Sequence, residues 1–280
     1  MNLHISNTTK VWFFLVATSL GILFLGYHFG GRLGLFISFL LMSFLNFIVF
    51  IYGKAQIIKK LDAKLQSGQD PWRINEKLEN FSKVLAMEKP LLFIVEEPTA
   101  IAFSLATPWQ NASIGLSTGL INKLTEDELN TVLAHEICHI QRHDTFAFSV
   151  SSSIANTFIG FAQFLDQFWV INLMQNRMVQ RPFLTMLSPI AWLIIRLTLS
   201  EKNFIENDEL AAALIQDKKK LATVLWKLDG LTHAGLINVP PCSSHLFIVN
   251  PLGVREKNWF YLTHPSIETR IQKLIGYFPI

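Results

Sequence analysis

Two histidines and a glutamate in the stretch His135-Glu136-Ile137-Cys138-His139 have the spacing of a metal-dependent hydrolase. On a helix, residues four apart project from one face, so the two imidazoles can bind one tetrahedral zinc ion. Glu136 lies beside them, where its carboxylate can take a proton from zinc-bound water and pass it to a leaving amine. The motif predicts metal-assisted amide hydrolysis, with His135 and His139 as ligands and Glu136 as the catalytic base.

A third protein ligand has to come from outside this motif, because a catalytic zinc site normally combines three protein ligands with one open position. Cys138 is expected to be a small buried apolar residue rather than a ligand. His143 continues the four-residue spacing, but three ligands on one straight helix cannot surround a tetrahedral ion. We therefore expect His143 to be a solvated turn residue.

The motif lies on a helix whose start is visible in the sequence. Thr125-Glu126-Asp127-Glu128 fits a capping box, in which the Thr hydroxyl and the Glu carboxylate satisfy the first free backbone N–H groups. The buried side of this helix is predicted to carry Leu129, Val132, Leu133, Ile137 and Ile140. Upstream, the pattern predicts a helix that begins at Pro71-Trp72 and strands over residues 91–95, 101–105 and 112–116. This part of the chain is therefore expected to be an α+β unit.

The composition is that of a membrane protein, since 50% of the 280 residues are hydrophobic and only 16% are charged. Residues 11–27 and 35–52 are uncharged runs that can each nearly cross a bilayer, and the short Gly-rich link between them predicts a helical hairpin. A cleaved signal peptide is the alternative for the first run. We divide the chain into a transmembrane hairpin, residues 1–53, and a metalloprotease domain, residues 54–280.

Cations flanking the hairpin predict its orientation. Four lysines follow the second run: Lys54, Lys59, Lys60 and Lys64. The link between the runs contains only Arg32, so both ends of the hairpin and the domain after it are expected on the cytoplasmic side. Two later apolar runs, 145–165 and 183–199, either cross the membrane or form buried core helices.

The net charge and the cysteine content limit which partners and which cellular compartment are expected. The net charge is +3 and no basic stripe is interleaved with aromatic residues, so no nucleic-acid partner is expected. Cys138 and Cys242 are too few for a disulfide framework, so both are expected to be reduced in a cytosolic setting. The expected partners are the lipid bilayer and protein substrates.

Several motifs together resemble the HtpX family of membrane-bound zinc proteases, relatives of the CAAX prenyl proteases. The resemblance rests on Leu116-Ser-Thr-Gly-Leu120, Thr125-Glu-Asp-Glu128, His135 through Asp144, and Thr263-His264-Pro265 through Arg270-Ile271. It implies an α+β, mainly helical, zincin-like domain with one Zn²⁺ per chain. It also implies a stress-response endopeptidase of the bacterial inner membrane that cuts misfolded or damaged membrane proteins at the cytoplasmic face.

The resemblance leaves the third zinc ligand unassigned. In the family this ligand is a Glu in the pattern Ser-Arg-x-x-Glu-x-x-Ala-Asp, and the matching stretch here, residues 200–212, has Phe204 at that position. Glu201 and Glu206 are the two candidates to replace it. The family pattern implies that Asp144 and Asp208 orient the ligand histidines. The alternatives are a helix-terminal turn residue for Asp144 and a solvated helix face for Glu201, Glu206 and Asp208. Because Phe204 cannot bind zinc, a proteolytically inactive protein that binds clients is the alternative function.

The resemblance also bears on substrate binding. Residues 113–116 resemble the edge strand on which such proteases lay an extended substrate, with a plain core strand as the alternative. The family's Asn before Ala-Phe is Ile101 here, which puts a substrate-binding role of that loop in doubt. His264 is expected either to stabilise an oxyanion or to cap the helix that follows Pro265.

Overall fold

The computed structural model describes residues 7–68, 70, 72–107, 110–173, 181–198, 200–235, 237, 239, 241–252 and 264–277. The helices are α1 (Asn7–Lys60), α2 (Ile74–Val84), α3 (Thr118–Lys123), α4 (Glu126–Gln141), α5 (Asp144–Leu173), α6 (Pro182–Thr198), α7 (Glu201–Ile215), α8 (Lys218–His233) and α9 (Ile267–Ile275). The strands are β1 (Lys64–Leu65), β2 (Leu91–Val95), β3 (Ala102–Thr107) and β4 (Gln110–Ser117), and a short 3-10 helix covers Pro241–Leu246. The fold is mainly helical.

The N-terminal helix α1 is broken at Gly31, whose φ of 56° and ψ of −140° are not helical. A Cβ on Gly26 would collide with Ser38 and with the backbone of Gly34. In a straight helix Gly26 and Ser38 would be about 18 Å apart, so the chain doubles back at Gly31. Among the described residues, the one stretch with the length and hydropathy of a membrane span is Leu15–Phe44. That this hairpin crosses a membrane stays a prediction.

A four-stranded sheet with the order β1-β2-β4-β3 follows the hairpin. β4 pairs with β2 in parallel and with β3 in antiparallel fashion. The prediction that residues 113–116 form an edge strand is therefore wrong, because β4 is hydrogen-bonded on both sides. Strand pairing is a long-range property that the alternation of one strand does not reveal, and the strand at this edge of the sheet is β3.

The motif helix α4 begins with the predicted capping box. Thr125 Oγ1 accepts from the Glu128 N–H at 3.3 Å, and a Glu128 carboxylate oxygen accepts from the Thr125 N–H at 2.8 Å. Lys227 on α8 donates to the same carboxylate at 2.7 Å, which ties the start of α4 to a neighbouring helix. From Thr131 to Ile140 every α4 side chain is buried, because the sheet, α2, α7 and α8 surround the helix.

A tight corner connects α4 to α5. His143 has a left-handed φ of 59° and is exposed, so Asp144 can begin α5 directly below the end of α4. The first half of α5 lies within the domain, where Ser149 Oγ accepts from the Ala106 N–H of β3 at 3.2 Å. In its second half the apolar side chains Phe158, Phe161 and Phe164 are exposed.

Helix α6 packs along α5 and starts at an acidic cap. The Asp166 carboxylate of α5 accepts from the backbone N–H groups of Phe183 and Leu184, each at 2.9 Å. Met186, Ile190 and Leu193 are exposed on α6. The two later apolar runs therefore form two paired helices, and whether they cross a membrane stays open.

Candidate metal-binding and catalytic site

The two motif histidines lie together in the interior. Their ring centroids are 5.0 Å apart with an interplanar angle of 79°. Glu136 is buried beside them, with a carboxylate oxygen 3.6 Å from His135 Nδ1. Cys138 is fully buried, as predicted. The helix therefore places three of the predicted functional side chains in one desolvated cluster.

A buried ion pair holds the first histidine. Asp208 Oδ1 lies 3.0 Å from His135 Nε2, and Arg270 Nη2 lies 3.1 Å from the same nitrogen. Asn207 Nδ2 donates to the His135 backbone carbonyl at 3.1 Å. Burial alone would lower the pKa of His135, but the nearby carboxylates of Asp208 and Glu136 raise it. Asp208 thus contacts His135 directly, and its orienting role stays a prediction.

The second histidine has a more distant carboxylate. Asp144 Oδ2 is 3.5 Å from His139 Nδ1, longer than an ordinary hydrogen bond. The same oxygen accepts from Arg142 Nε at 2.8 Å. Burial raises the pKa of Asp144 less than His139 and Arg142 lower it, so Asp144 remains a carboxylate. Burial also lowers the pKa of His139, which favours the neutral imidazole that a metal requires.

Phe204 occupies the place of the family's third ligand. It is fully buried, and its ring centroid lies 5.8 Å from that of His139 in an edge-on arrangement. Phe148 and His264 stack against the same ring, at 5.5 and 4.6 Å. An aromatic cluster therefore fills the position beside His139 where a carboxylate would be needed.

The two acidic candidates for the third ligand lie elsewhere on α7. Glu201 is exposed in the first turn of the helix. Glu206 is paired with two cations, with Arg142 Nη2 at 2.6 Å and Lys202 Nζ at 3.1 Å. Within the described part of the chain, no group of three His, Cys, Asp or Glu side chains is placed to hold a metal ion.

The outer edge of β3 is covered by the chain itself. Ile248 N donates to Ala102 O at 3.1 Å, and Phe103 forms an antiparallel bridge with Phe247. Ser149 occupies the Ala106 N–H further along the strand. An extended peptide therefore cannot add to these positions of β3 unless this segment moves.

His264 does not cap the following helix. Ser266 is the N-cap of α9 and accepts from the Thr269 N–H, whereas His264 Nε2 lies 2.8 Å from the Phe247 carbonyl oxygen. The helix-cap alternative for His264 is therefore wrong. Burial lowers the pKa of His264 to about 3, so the imidazole is neutral and fastens the segment that covers β3.

Comparison with known proteins identifies the family. The family model described as "Peptidase family M48" matches residues 69–277. The chain belongs to peptidase family M48. It is 28% identical over 279 residues to a protein named protease HtpX from Legionella pneumophila (strain Lens), covering 96% of this chain and 98% of that relative. It is 26% identical over 275 residues to a protease HtpX homolog from Pelotomaculum thermopropionicum, with the same two coverages.

The HtpX resemblance is thus confirmed. A crystal structure of S. mikatae Ste24p is also similar, with a TM-score of 0.49 and 16% identity, and the match covers 95% of this chain and 67% of that one. M48 is a metallopeptidase family, so membership implies a metal cofactor.

Unpartnered acceptor atoms show how a metal would fit this M48 site. Among the described residues, the buried His135 Nδ1 and both buried Glu136 carboxylate oxygens have no hydrogen-bond partner. Buried polar atoms are rarely left unsatisfied, and a cation with its bound water would satisfy acceptors of this kind. The residues therefore fit a metal at the two histidines, with Phe204 in place of a third protein ligand.

The contacts of three residues in and around this M48 site could not be predicted from the sequence. Arg142 lies at the end of the motif helix but gave no signal of its pairing with α7. Arg270 belongs to the His-Pro…Arg-Ile element, which marks its position without revealing its contact with Asp208. His245 is buried, with Nε2 3.0 Å from the Phe148 carbonyl oxygen, and no pattern in the sequence points to it.

Proposed function

We propose that this protein is a membrane-bound zinc endopeptidase that uses His135 and His139 as metal ligands and Glu136 as the base. The observation that carries the proposal is the buried Glu136 carboxylate, which lies beside His135 on a capped helix and has no hydrogen-bond partner among the described residues. A zinc ion bound there would polarise the scissile carbonyl and bring the pKa of its water near neutral.

Each residue of the site then has a defined role. Glu136 can accept a proton on either free oxygen and return it to the leaving amine. Asp208 and Arg270 fix the His135 ring, and the buried neighbours exclude bulk water. The exposed Glu201 and the doubly paired Glu206 would each have to move to supply a third ligand. With Phe204 in the ligand position, we expect zinc to be held less tightly than in a three-ligand site.

The hairpin supports a site at the cytoplasmic surface of a bacterial inner membrane. Trp12 near one end of α1 lies 6.4 Å from Phe146, and Lys54 near the other end donates to the Asn111 carbonyl of β4 at 2.7 Å. Both ends thus lie beside the domain, with the lysine cluster predicted to face the cytoplasm. Exposed Phe side chains on α5 extend the apolar surface, which suits a multi-pass protein acting on misfolded membrane proteins.

Purified protein in detergent tests the proposal. We expect wild type to bind up to one zinc ion per chain and to cleave casein, and Glu136→Gln to keep the zinc but lose cleavage. Glu209→Gln, an exposed change on α7, is the matched control and should behave as wild type. Wild type that neither binds zinc nor cleaves would sink the protease proposal.

The buried Phe204 cluster favours a second candidate function, which is client binding without hydrolysis. In that case wild type should retain unfolded membrane-protein segments on a pull-down column while casein remains intact at any zinc concentration. Cleavage that depends on Glu136 would exclude this alternative.

A further inference from the structure

An ion-pair chain runs from helix α7 to the second motif histidine. Lys202 and Glu206 pair along α7, and Glu206 Oε2 accepts from Arg142 Nη2 at 2.6 Å. Arg142 Nε donates to Asp144 Oδ2 at 2.8 Å, and that oxygen faces His139 Nδ1 at 3.5 Å. Five charged or titratable side chains on two helices and one corner are therefore linked in sequence.

The corner at His143 explains how this chain closes. Arg142 is the last residue before the left-handed turn and Asp144 the first residue after it, so both side chains return to the same side as His139. Asp144 is only 1% exposed, whereas the Arg142 and Glu206 side chains are 22% and 23% exposed. Arg142 thus compensates a carboxylate that cannot reach water, and this pairing is less screened than one on the open surface.

Glu206 has no carboxylate oxygen left for a second role. Oε2 is bound by Arg142, and Oε1 lies 3.1 Å from Lys202. To bind a metal beside His139 it would have to leave both cations, and the buried Phe204 already fills the position beside the His139 ring. The geometry favours a supporting role over ligation.

We propose that Glu206 and Arg142 are positioning residues: Glu206 anchors Arg142, Arg142 fixes Asp144, and Asp144 orients the His139 imidazole. The proposal rests on the proposed function in that His139 is the residue whose orientation matters. A carboxylate that faces one ring nitrogen favours the proton on that nitrogen and leaves the other nitrogen free to bind metal. Replacing Glu206 or Arg142 should therefore change the orientation and tautomer of the His139 imidazole, although neither residue contacts that ring.

Nitrogen NMR of histidine-labelled, metal-free protein reads this directly, because the imidazole ¹⁵N shifts report which ring nitrogen carries the proton. The His139 signals are assigned by their loss in His139→Gln. We expect one defined tautomer in wild type and in the control Glu209→Gln, and a mixture in Glu206→Gln and Arg142→Gln. Arg142→Lys keeps the positive charge but cannot contact both carboxylates with a guanidinium. Its His139 tautomer ratio should be intermediate between those of wild type and Arg142→Gln.

Zinc affinity gives a second readout. Glu206→Gln and Arg142→Gln should each raise the zinc dissociation constant by roughly 10-fold to 100-fold. The double variant should have the same zinc dissociation constant as Arg142→Gln alone, because Glu206 acts through Arg142. If Glu206 is instead a ligand, Glu206→Gln will lose zinc while the His139 signals stay as in wild type, which overturns the proposal.

The two proposals fail in different ways. Wild type without zinc or cleavage removes the peptidase function but leaves the NMR comparison valid. His139 signals that are identical in wild type, Glu206→Gln and Arg142→Gln remove the positioning role whether or not zinc binds.

Discussion

Arg270 holds Asp208 in a buried two-pronged ion pair. Nη2 and Nε donate to the two carboxylate oxygens at 2.6 and 2.8 Å, and Nη1 donates to the Ile248 carbonyl at 2.6 Å. Burial alone would raise the pKa of Asp208, but the charge and hydrogen bonds of Arg270 and the hydrogen bond of His135 together lower it. The carboxylate that contacts His135 is therefore held by a residue 62 positions away.

Arg270→Met should destabilise the protein by about 3–5 kcal/mol, because it leaves Asp208 charged and unpaired in the interior. Denaturant unfolding of detergent-solubilised protein measures the loss. Lys273→Met, an exposed change on the same helix, is the control and should lie within about 0.5 kcal/mol of wild type. Adding Asp208→Asn to Arg270→Met should recover part of the loss, and an Arg270→Met protein as stable as wild type would contradict the ion pair.

His245 should make stability depend on pH. Burial lowers its pKa to about 4, partly offset by its hydrogen bond with the Phe148 carbonyl, whereas the unfolded value is about 6.5. Between these values the unfolded chain binds a proton that the folded chain does not. Stability is therefore fully present above about pH 6.5 and falls towards pH 4 by up to ~1.4 kcal/mol per pH unit for this group.

His245→Phe should remove that contribution and make the pH profile of unfolding less steep between pH 6.5 and 4, where the buried His264 still contributes. The exposed His28→Phe, at the far end of the hairpin, should leave the slope as in wild type. Equal slopes in wild type and His245→Phe would show that the buried imidazole is not the source.

Phe204→Glu should strengthen zinc binding, because it returns a carboxylate to the position that the family uses for the third ligand. We expect the zinc content to reach one ion per chain after dialysis that strips part of the metal from wild type, with faster casein cleavage. Without metal, the same variant should be less stable, since it buries a charge in an aromatic cluster.

Phe204→Gln is the matched control, with a similar shape and no charge, and it should gain neither zinc nor activity. Equal zinc content in the Phe204→Glu and Phe204→Gln proteins would mean that this position does not face the metal.

Gly34→Ala should loosen the N-terminal hairpin. The added Cβ would overlap the Gly26 backbone on the opposite arm, and such overpacking costs typically 1–3 kcal/mol. Gly30→Ala is the control, because no atom of the described residues lies within 4 Å of a Cβ at that position. A lower thermal midpoint for Gly34→Ala than for Gly30→Ala is expected, and equal midpoints would argue against the doubled-back helix.

Local features of this fold could be predicted because their causes are local. The capping box at Thr125 needs only residues within one helical turn, and the strand at residues 91–95 follows from a short apolar run between turn residues. Cys138 is buried because it lies on a helix that the rest of the domain surrounds.

Long-range features could not be predicted. β4 lies inside the sheet because β2 and β3 both pair with it, and no pattern within residues 113–116 encodes its neighbours. The Arg142 to Glu206 contact joins residues 64 positions apart. Charges on separate helices find each other only once packing is set, so the supporting residues of the site were visible in the structure alone.

The two attachments of α1 have a mechanical consequence. Trp12 lies against Phe146 at the start of α5, and Lys54 is fastened to β4 through Asn111. A helical hairpin attached at one end can tilt independently of the domain. Because both ends of α1 contact the domain, α1 can tilt only together with the elements that it contacts. Any tilt of α1 is thus passed to the corner that carries Asp144 and to the strand beside the motif helix.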